Sequence, residues 1–283
     1  MRADRPSATA TLIAAATVFL ARDPRVADLV PPGAAELCAR CLEAVSPFRR
    51  AAVNALSRPA LRWAARLVER ATIPGLLLHF LLRKRWIEEA VRAGLAEGCD
   101  EVVVVGAGFD TLAARLAPEF PRVRLTEIDH PATQRAKRVV AEAENLRFIA
   151  ADLARVRLQD VFTAGPHAVF VIEGLLMYLT EAEIAALFSA VTRRVVFTQV
   201  EPAPDGRSRF HSATPLVNGL LKLWGEPFKS ALPRGDAPRL LGRFGLRLRD
   251  LADSEMLRAR YLAPSGRQDL VLAKGELVVV AER

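Results

Sequence analysis

A short β-branched run, Glu101–Val105 (EVVVV), breaks at Gly106-Ala107-Gly108 and passes into a helical pattern over residues 111–117. Few features constrain a fold as much as a strand that turns through glycines into a helix. The glycines let the backbone come close to a ligand, and the helix start offers unpaired N–H groups. A second strand is expected over 123–128, running into Glu127-Ile128-Asp129. An acidic side chain about twenty residues beyond such a glycine turn is placed to hold a ribose hydroxyl in an α/β nucleotide fold.

The pattern then repeats. A helix is expected over 131–143, strands over 146–149 and 168–172, a helix over 181–191 and a strand over 194–200. Strands alternating with helices mean βαβ units and a parallel sheet. Residues 202–238 are rich in Pro, Gly and Ser yet contain Phe210, His211, Trp224 and Phe228, and read as an insertion after the fifth strand. A helix (237–244) and two more strands (246–251 and 276–281) follow, seven strands in all. The first hundred residues hold no convincing strand and read as helices over 9–22, 34–44, 58–71 and 76–95. The expected organisation is a single domain: a helical extension (1–98), a ligand-binding α/β core (99–201), a lid insertion (202–238) and the end of the sheet (239–283).

Apolar residues make up 51% of the 283 and aromatics only 6%, which suits helices on a parallel sheet better than an all-β sandwich. The net charge of +8 favours acidic partners, but the excess is almost all arginine, and compositional bias explains it as well. Arg58, Arg62, Arg66 and Arg70 share one helix face; a solvated face is the expected role, a grip on RNA or an acidic protein the alternative. Cys38 and Cys41 have C-x-x-C spacing without a second pair or clustered His, so no metal site is expected and both read as small core residues. Three cysteines suit a reducing, cytoplasmic setting. Residues 11–21 are apolar but too short to span a bilayer, and read as a buried helix.

Thr111 stands where a dinucleotide fingerprint would have its third glycine, which points from NAD towards a ligand without phosphates. A nucleoside amino acid such as S-adenosylmethionine fits; an NAD-binding oxidoreductase is the rival. Asp152, after the third strand, and Glu173, ending the fourth, add carboxylates at the same sheet edge, where open α/β sheets bind ligands.

Six stretches together resemble the leucine carboxyl methyltransferase family of class I methyltransferases: Ser7-Ala8-Thr9-Ala10, Arg83-Lys84-Arg85-Trp86-Ile87-Glu88, GAGFDT at 106–111, EIDHP at 127–131, Asp152-Leu153, and EGLLMYL at 173–179. The resemblance implies a Rossmann-like, seven-stranded, mostly parallel sheet with an antiparallel C-terminal strand, binding S-adenosyl-L-methionine and releasing S-adenosyl-L-homocysteine. It implies that Arg83 pairs with the donor's carboxylate, that Gly106, Ala107, Gly108 and Asp110 form the loop around its methionine part, and that Asp129 holds the ribose. Asp152 and Leu153 would lie at the adenine and Glu173 near the methionine end. Family members that methylate a phosphatase use an N-terminal lysine in this site. No lysine precedes Lys84 here, so either Arg5 or Arg22 substitutes or the contact is missing. The expected acceptor is an oxygen, carboxylate or hydroxyl, of a small apolar metabolite. A hydroxyl would need a general base, for which His211 and Tyr178 are candidates and Glu201 a more distant one.

Overall fold

The computed structural model describes residues 6–55, 58–214 and 228–283. Seven strands form one sheet in the order β3-β2-β1-β4-β5-β7-β6. They are β1 (Glu101–Val105), β2 (Arg124–Asp129), β3 (Leu146–Ala150), β4 (Ala168–Ile172), β5 (Arg194–Val200), β6 (Arg247–Ala252) and β7 (Glu276–Glu282). Strands β1 to β5 pair in parallel, whereas β7 lies antiparallel between β5 and β6. This is the Rossmann-like class I methyltransferase architecture expected above. The sheet order reverses at β1, with β2 on one side and β4 on the other, which opens a crevice at its carboxyl end.

Every residue of β1 and β4 is buried, as a sheet covered on both faces requires. Val102 and Val104 face one core with Leu82, Val91 and Leu116. Val103 and Val105 face the other, with Phe170, Phe188 and Phe197. Three helices cover the first face: α5 (Leu76–Ala96), α6 (Leu112–Glu119) and, late in the chain, α11 (Ser254–Tyr261). The second carries α8 (Leu158–Val161), α9 (Glu181–Ser189) and α10 (Ala237–Gly242). Thr180 and Glu183 close a capping box that starts α9. The helix after β2, α7, is Pro131–Arg138 and ends five residues before the expected boundary.

The N-terminal extension contributes the helices α1 (Ala8–Leu20), α2 (Ala34–Val45), α3 (Pro47–Ala55) and α4 (Pro59–Thr72) ahead of α5. Only α3 was not expected. Ala14 and Ala16 to Leu20 are buried, so the apolar stretch near the start of the chain packs as core. No helix among the described residues is long and apolar enough to cross a membrane. Cys38 and Cys41 are buried with Leu42 and Phe109, and no cluster of metal ligands occurs among the described residues.

The arginine stripe on α4 departs from the expectation of a solvated face. Arg62 and Arg66 turn inward and clamp the buried Asp23, Arg62 at 3.4 Å, and Arg62 also donates to the Arg22 carbonyl at 2.9 Å. Arg58 and Arg70 are exposed. Glu69 on the same helix accepts the Leu77 N–H at 3.0 Å. The outward side of α4 instead carries Leu61, Trp63, Leu67 and Val68.

Candidate functional site

A cavity of about 450 Å³ opens at the carboxyl ends of β1 to β4, within the range usual for small-molecule sites. All nine ligand-binding residues expected from the sequence line it, and so does Tyr178. Gly106 and Gly108 form its floor at φ +69° and +52°. A Cβ on Gly106 would press on Leu175, and one on Gly108 would lie 3.1 Å from Ala10 on α1. The turn therefore needs glycine both for its left-handed backbone and for the close approach of α1.

The acidic groups stand in sheet order along the rim: Asp152 after β3, Asp129 at the end of β2, the glycine turn after β1, Glu173 after β4. Neighbouring strands lie about 4.8 Å apart, so the row spans roughly 14 Å. Asp129 accepts the Gly108 and His130 N–H groups. Burial raises its pKa, and the two backbone N–H groups oppose that rise. The neighbouring Glu127 of the same motif turns away from the cavity to Lys137 of α7, 2.5 Å off, both side chains fully enclosed. Asp152 lies 3.9 Å from His130 at the opposite end from Glu173.

Helix α5 supplies the cations. Arg83 is 2% exposed, buried in the cavity wall rather than on the surface. Its Nε donates to Glu173 at 2.9 Å, its Nη1 donates to both oxygens of Glu276 at 2.7 and 2.8 Å, and Phe80 covers its face. Lys84 Nζ bridges Glu173, at 2.9 Å, and Asp110. Burial works against both cations, but the carboxylates outweigh it and hold Arg83 and Lys84 protonated. A lysine thus does reach this cavity, from α5. Arg22 is turned to Asn54 and the Val53 carbonyl, and Arg5 lies outside the described residues.

Two participants were not anticipated from the sequence. Glu276, the first residue of β7, is 1% exposed and meets Arg83 and, at 2.7 Å, His79. His79 is fully buried one helical turn before Arg83 on α5. The i,i+4 spacing of His79 and Arg83 was a readable signal that both face one partner. Nothing local marks Glu276, because only the antiparallel course of β7 brings its start to the ligand edge.

Of the expected bases, Tyr178 stands beside Phe228, ring centroids 5.3 Å apart. His211 does not line the cavity: its Nε2 pairs with the Pro202 carbonyl at 3.0 Å and its ring packs over Gly275. Glu201 is outside the cavity wall too, its N–H donating to the Gly275 carbonyl. Phe210 is core, packed with Ile73, Phe80 and Met177. Leu220, Leu221 and Trp224 lie outside the described residues.

The profile of the leucine carboxyl methyltransferase family matches residues 8–192. The chain belongs to that family. A Streptomyces coelicolor protein, provisionally named an S-adenosyl-L-methionine-dependent methyltransferase, is 32% identical over 123 residues, 39% of this chain and 42% of that protein. A Bacillus subtilis protein of the same provisional name is 26% identical over 187 residues, 59% of this chain and 60% of that one. The chain thus spans about half the length of the curated relatives it matches. Among solved structures, an S-adenosylmethionine-dependent methyltransferase from Mesorhizobium loti overlays with a TM-score of 0.47 at 20% identity, covering 68% of this chain and 96% of that one.

The cavity of this family member fits S-adenosylmethionine. Asp110, Asp129, Asp152, Glu173 and Glu183 line the cavity with Arg83, Lys84, Arg155 and Lys229, five carboxylates to four cations. The excess of one negative charge complements a ligand whose ammonium, sulfonium and carboxylate sum to one positive charge.

Proposed function

We propose that this chain is an S-adenosylmethionine-dependent methyltransferase acting on an oxygen of a small, largely apolar acceptor. The observation that carries the reading is the row of Asp152, Asp129 and Glu173 at successive strand ends of one cavity, closed at one end by Arg83 and Lys84. When bound, the donor supplies an electrophilic methyl group on sulfur. The residues of the chain bind and align: Glu173 and Arg83 fix the amino-acid end, Asp129 the ribose, Asp152 and Leu153 the base. Such alignment contributes about 7–11 kcal/mol towards an in-line transfer.

The acceptor is expected beside Glu173, where Ile13, Leu175, Tyr178 and Leu179 make an apolar wall and Lys229 adds one exposed cation. An acidic acceptor would meet Lys229 and, being ionised already, would need no base. Residues 99–201 would then be the donor-binding core, with Lys229 of the 202–238 insertion on the acceptor side. A dinucleotide fits less well. The Gly108 N–H that a pyrophosphate would take is already given to Asp129, and the rim is acidic. An RNA-directed activity loses its motive with Arg62 and Arg66 turned onto Asp23.

Calorimetric titration with S-adenosylmethionine, S-adenosylhomocysteine and NAD, on the wild type and Asp129→Ala, tests the reading. Binding of both sulfur ligands, weakened by about tenfold or more in the variant, is expected. NAD binding alone, or no binding of either sulfur ligand, would overturn it.

A further inference from the structure

We propose that Glu276 is a positioning residue: it aims Nη2 of Arg83 into the cavity and so sets the preference for a ligand that carries an α-carboxylate. The inference rests on the donor-binding reading above and concerns a residue outside the stretch that the family profile matches.

A guanidinium is a planar fork with five N–H donors, and its recognition of a carboxylate depends on where that plane points. In Arg83 two of the three nitrogens are occupied. Nε is given to Glu173 and Nη1 to both oxygens of Glu276, while Phe80 lies 4.3 Å from the guanidinium carbon. These contacts define the plane and leave Nη2 as the remaining donor nitrogen. Nη2 lies beside Gly174, where a Cβ would come within 3.4 Å of it, and Arg83 and Gly174 both line the cavity.

Glu276 is itself held. His79 meets its Oε2 at 2.7 Å, and the edge-on ring of Phe210 packs on His79 at 6.1 Å. The antiparallel pairing of β7 with β5, in which Glu276 opposes Val200, brings this carboxylate to the ligand edge. Two buried acids on one arginine exceed what neutralising its charge requires, since Glu173 alone would do that. The second acid contributes direction.

Charge and direction predict opposite signs. Glu276→Gln removes a negative charge from beside the carboxylate subsite. If Glu276 acted only through its charge, the variant would bind carboxylate ligands more tightly. If it positions Arg83, the variant binds them more weakly.

The test measures binding of S-adenosylhomocysteine and of its decarboxylated analogue, the 3-aminopropyl thioether of 5′-deoxyadenosine, to the wild type, Glu276→Gln and Glu276→Asp. The wild type is expected to prefer S-adenosylhomocysteine. Glu276→Gln should cut that preference about tenfold, with the affinity for the analogue changed by less than about threefold. Glu276→Asp keeps the charge but withdraws it by one methylene, and should cut the preference in the same direction; it also serves if Glu276→Gln does not fold. Equal weakening of both ligands, an unchanged preference, or tighter S-adenosylhomocysteine binding would overturn the proposal. A wild type that binds neither ligand would overturn the donor reading itself, whereas binding with an unaltered preference would remove only the role of Glu276.

Discussion

Arg83 and Glu276, 193 residues apart, meet through contacts of 2.7 and 2.8 Å where helix α5 crosses the start of strand β7. The pair ties the helix that delivers the cavity's cations to the strand that completes the sheet. Breaking it should be felt in both stability and ligand binding.

Acid stability follows from the titration of Glu276. Burial alone would raise its pKa, but Arg83 and His79 outweigh burial and hold it at about 2, against 4.5 for a free side chain. A depressed folded-state value stabilises the protein above the unfolded pKa, and that stability is lost as pH falls from about 4.5 towards about 2. The contribution is on the order of 3 kcal/mol. Glu276→Gln should therefore be less stable than wild type at pH 6, and the gap should narrow as pH falls from 4.5 to 3. Denaturant unfolding at a series of pH values reads this; a gap independent of pH would contradict it.

Arg83→Lys keeps a positive charge but cannot donate along three directions in one plane. An ammonium at this depth cannot serve Glu173, Glu276 and a ligand carboxylate together. S-adenosylhomocysteine binding is expected to weaken by about tenfold or more, equivalent to about 1.4 kcal/mol. Isothermal titration of the variant checks it, with retained wild-type affinity as the contrary result.

Asp23→Ala should loosen α4 without touching the ligand cavity. The carboxylate is 4% exposed and joins Arg25, Arg62 and Arg66, none of which lines the cavity. Removing a buried hydrogen-bonded acid costs about 1–3 kcal/mol. A lower melting temperature with unchanged S-adenosylhomocysteine affinity is expected; loss of that affinity would mean that α4 shapes the cavity.

The cysteines should be inert in the native state. Burial pushes Cys38 up to about 12 and Cys41 up to about 11, and raises Cys99 as well. The thiolate is the reactive form. A disulfide-exchange reagent at pH 8 should therefore label none of the three quickly, and all three after denaturation. Rapid native labelling of Cys38 or Cys41 would show that α1 and α2 open.

How much was legible beforehand depended on how local each signal was. The strand runs EVVVV and AVFVI, the glycine turn, and Asp129, Asp152 and Glu173 at their strand ends all follow from short-range periodicity and chain direction. Strands that alternate with helices pair in parallel, so their carboxyl ends must gather on one edge. That is why the cavity's acidic row could be read without coordinates. Arg83 is marked only by the family motif, since its helix pattern does not set it apart from Lys84 and Arg85. His211, one of the base candidates, follows Phe210 in the insertion, and the Pro202 carbonyl and Gly275 hold it outside the cavity wall.

By itself the sequence determined the βαβ frame, the glycine floor and the order of carboxylates along the rim, since each depends on neighbours within one structural unit. Only the tertiary structure decided which way the charges of the helical extension face. Arg62 and Arg66 turn inward because Asp23, about forty residues earlier, is buried beneath them. Only the tertiary structure, too, placed Glu276 and His79 behind Arg83. Strand β7 slots antiparallel between β5 and β6, and this long-range pairing reverses its direction, so that its first residue arrives where the parallel strands end.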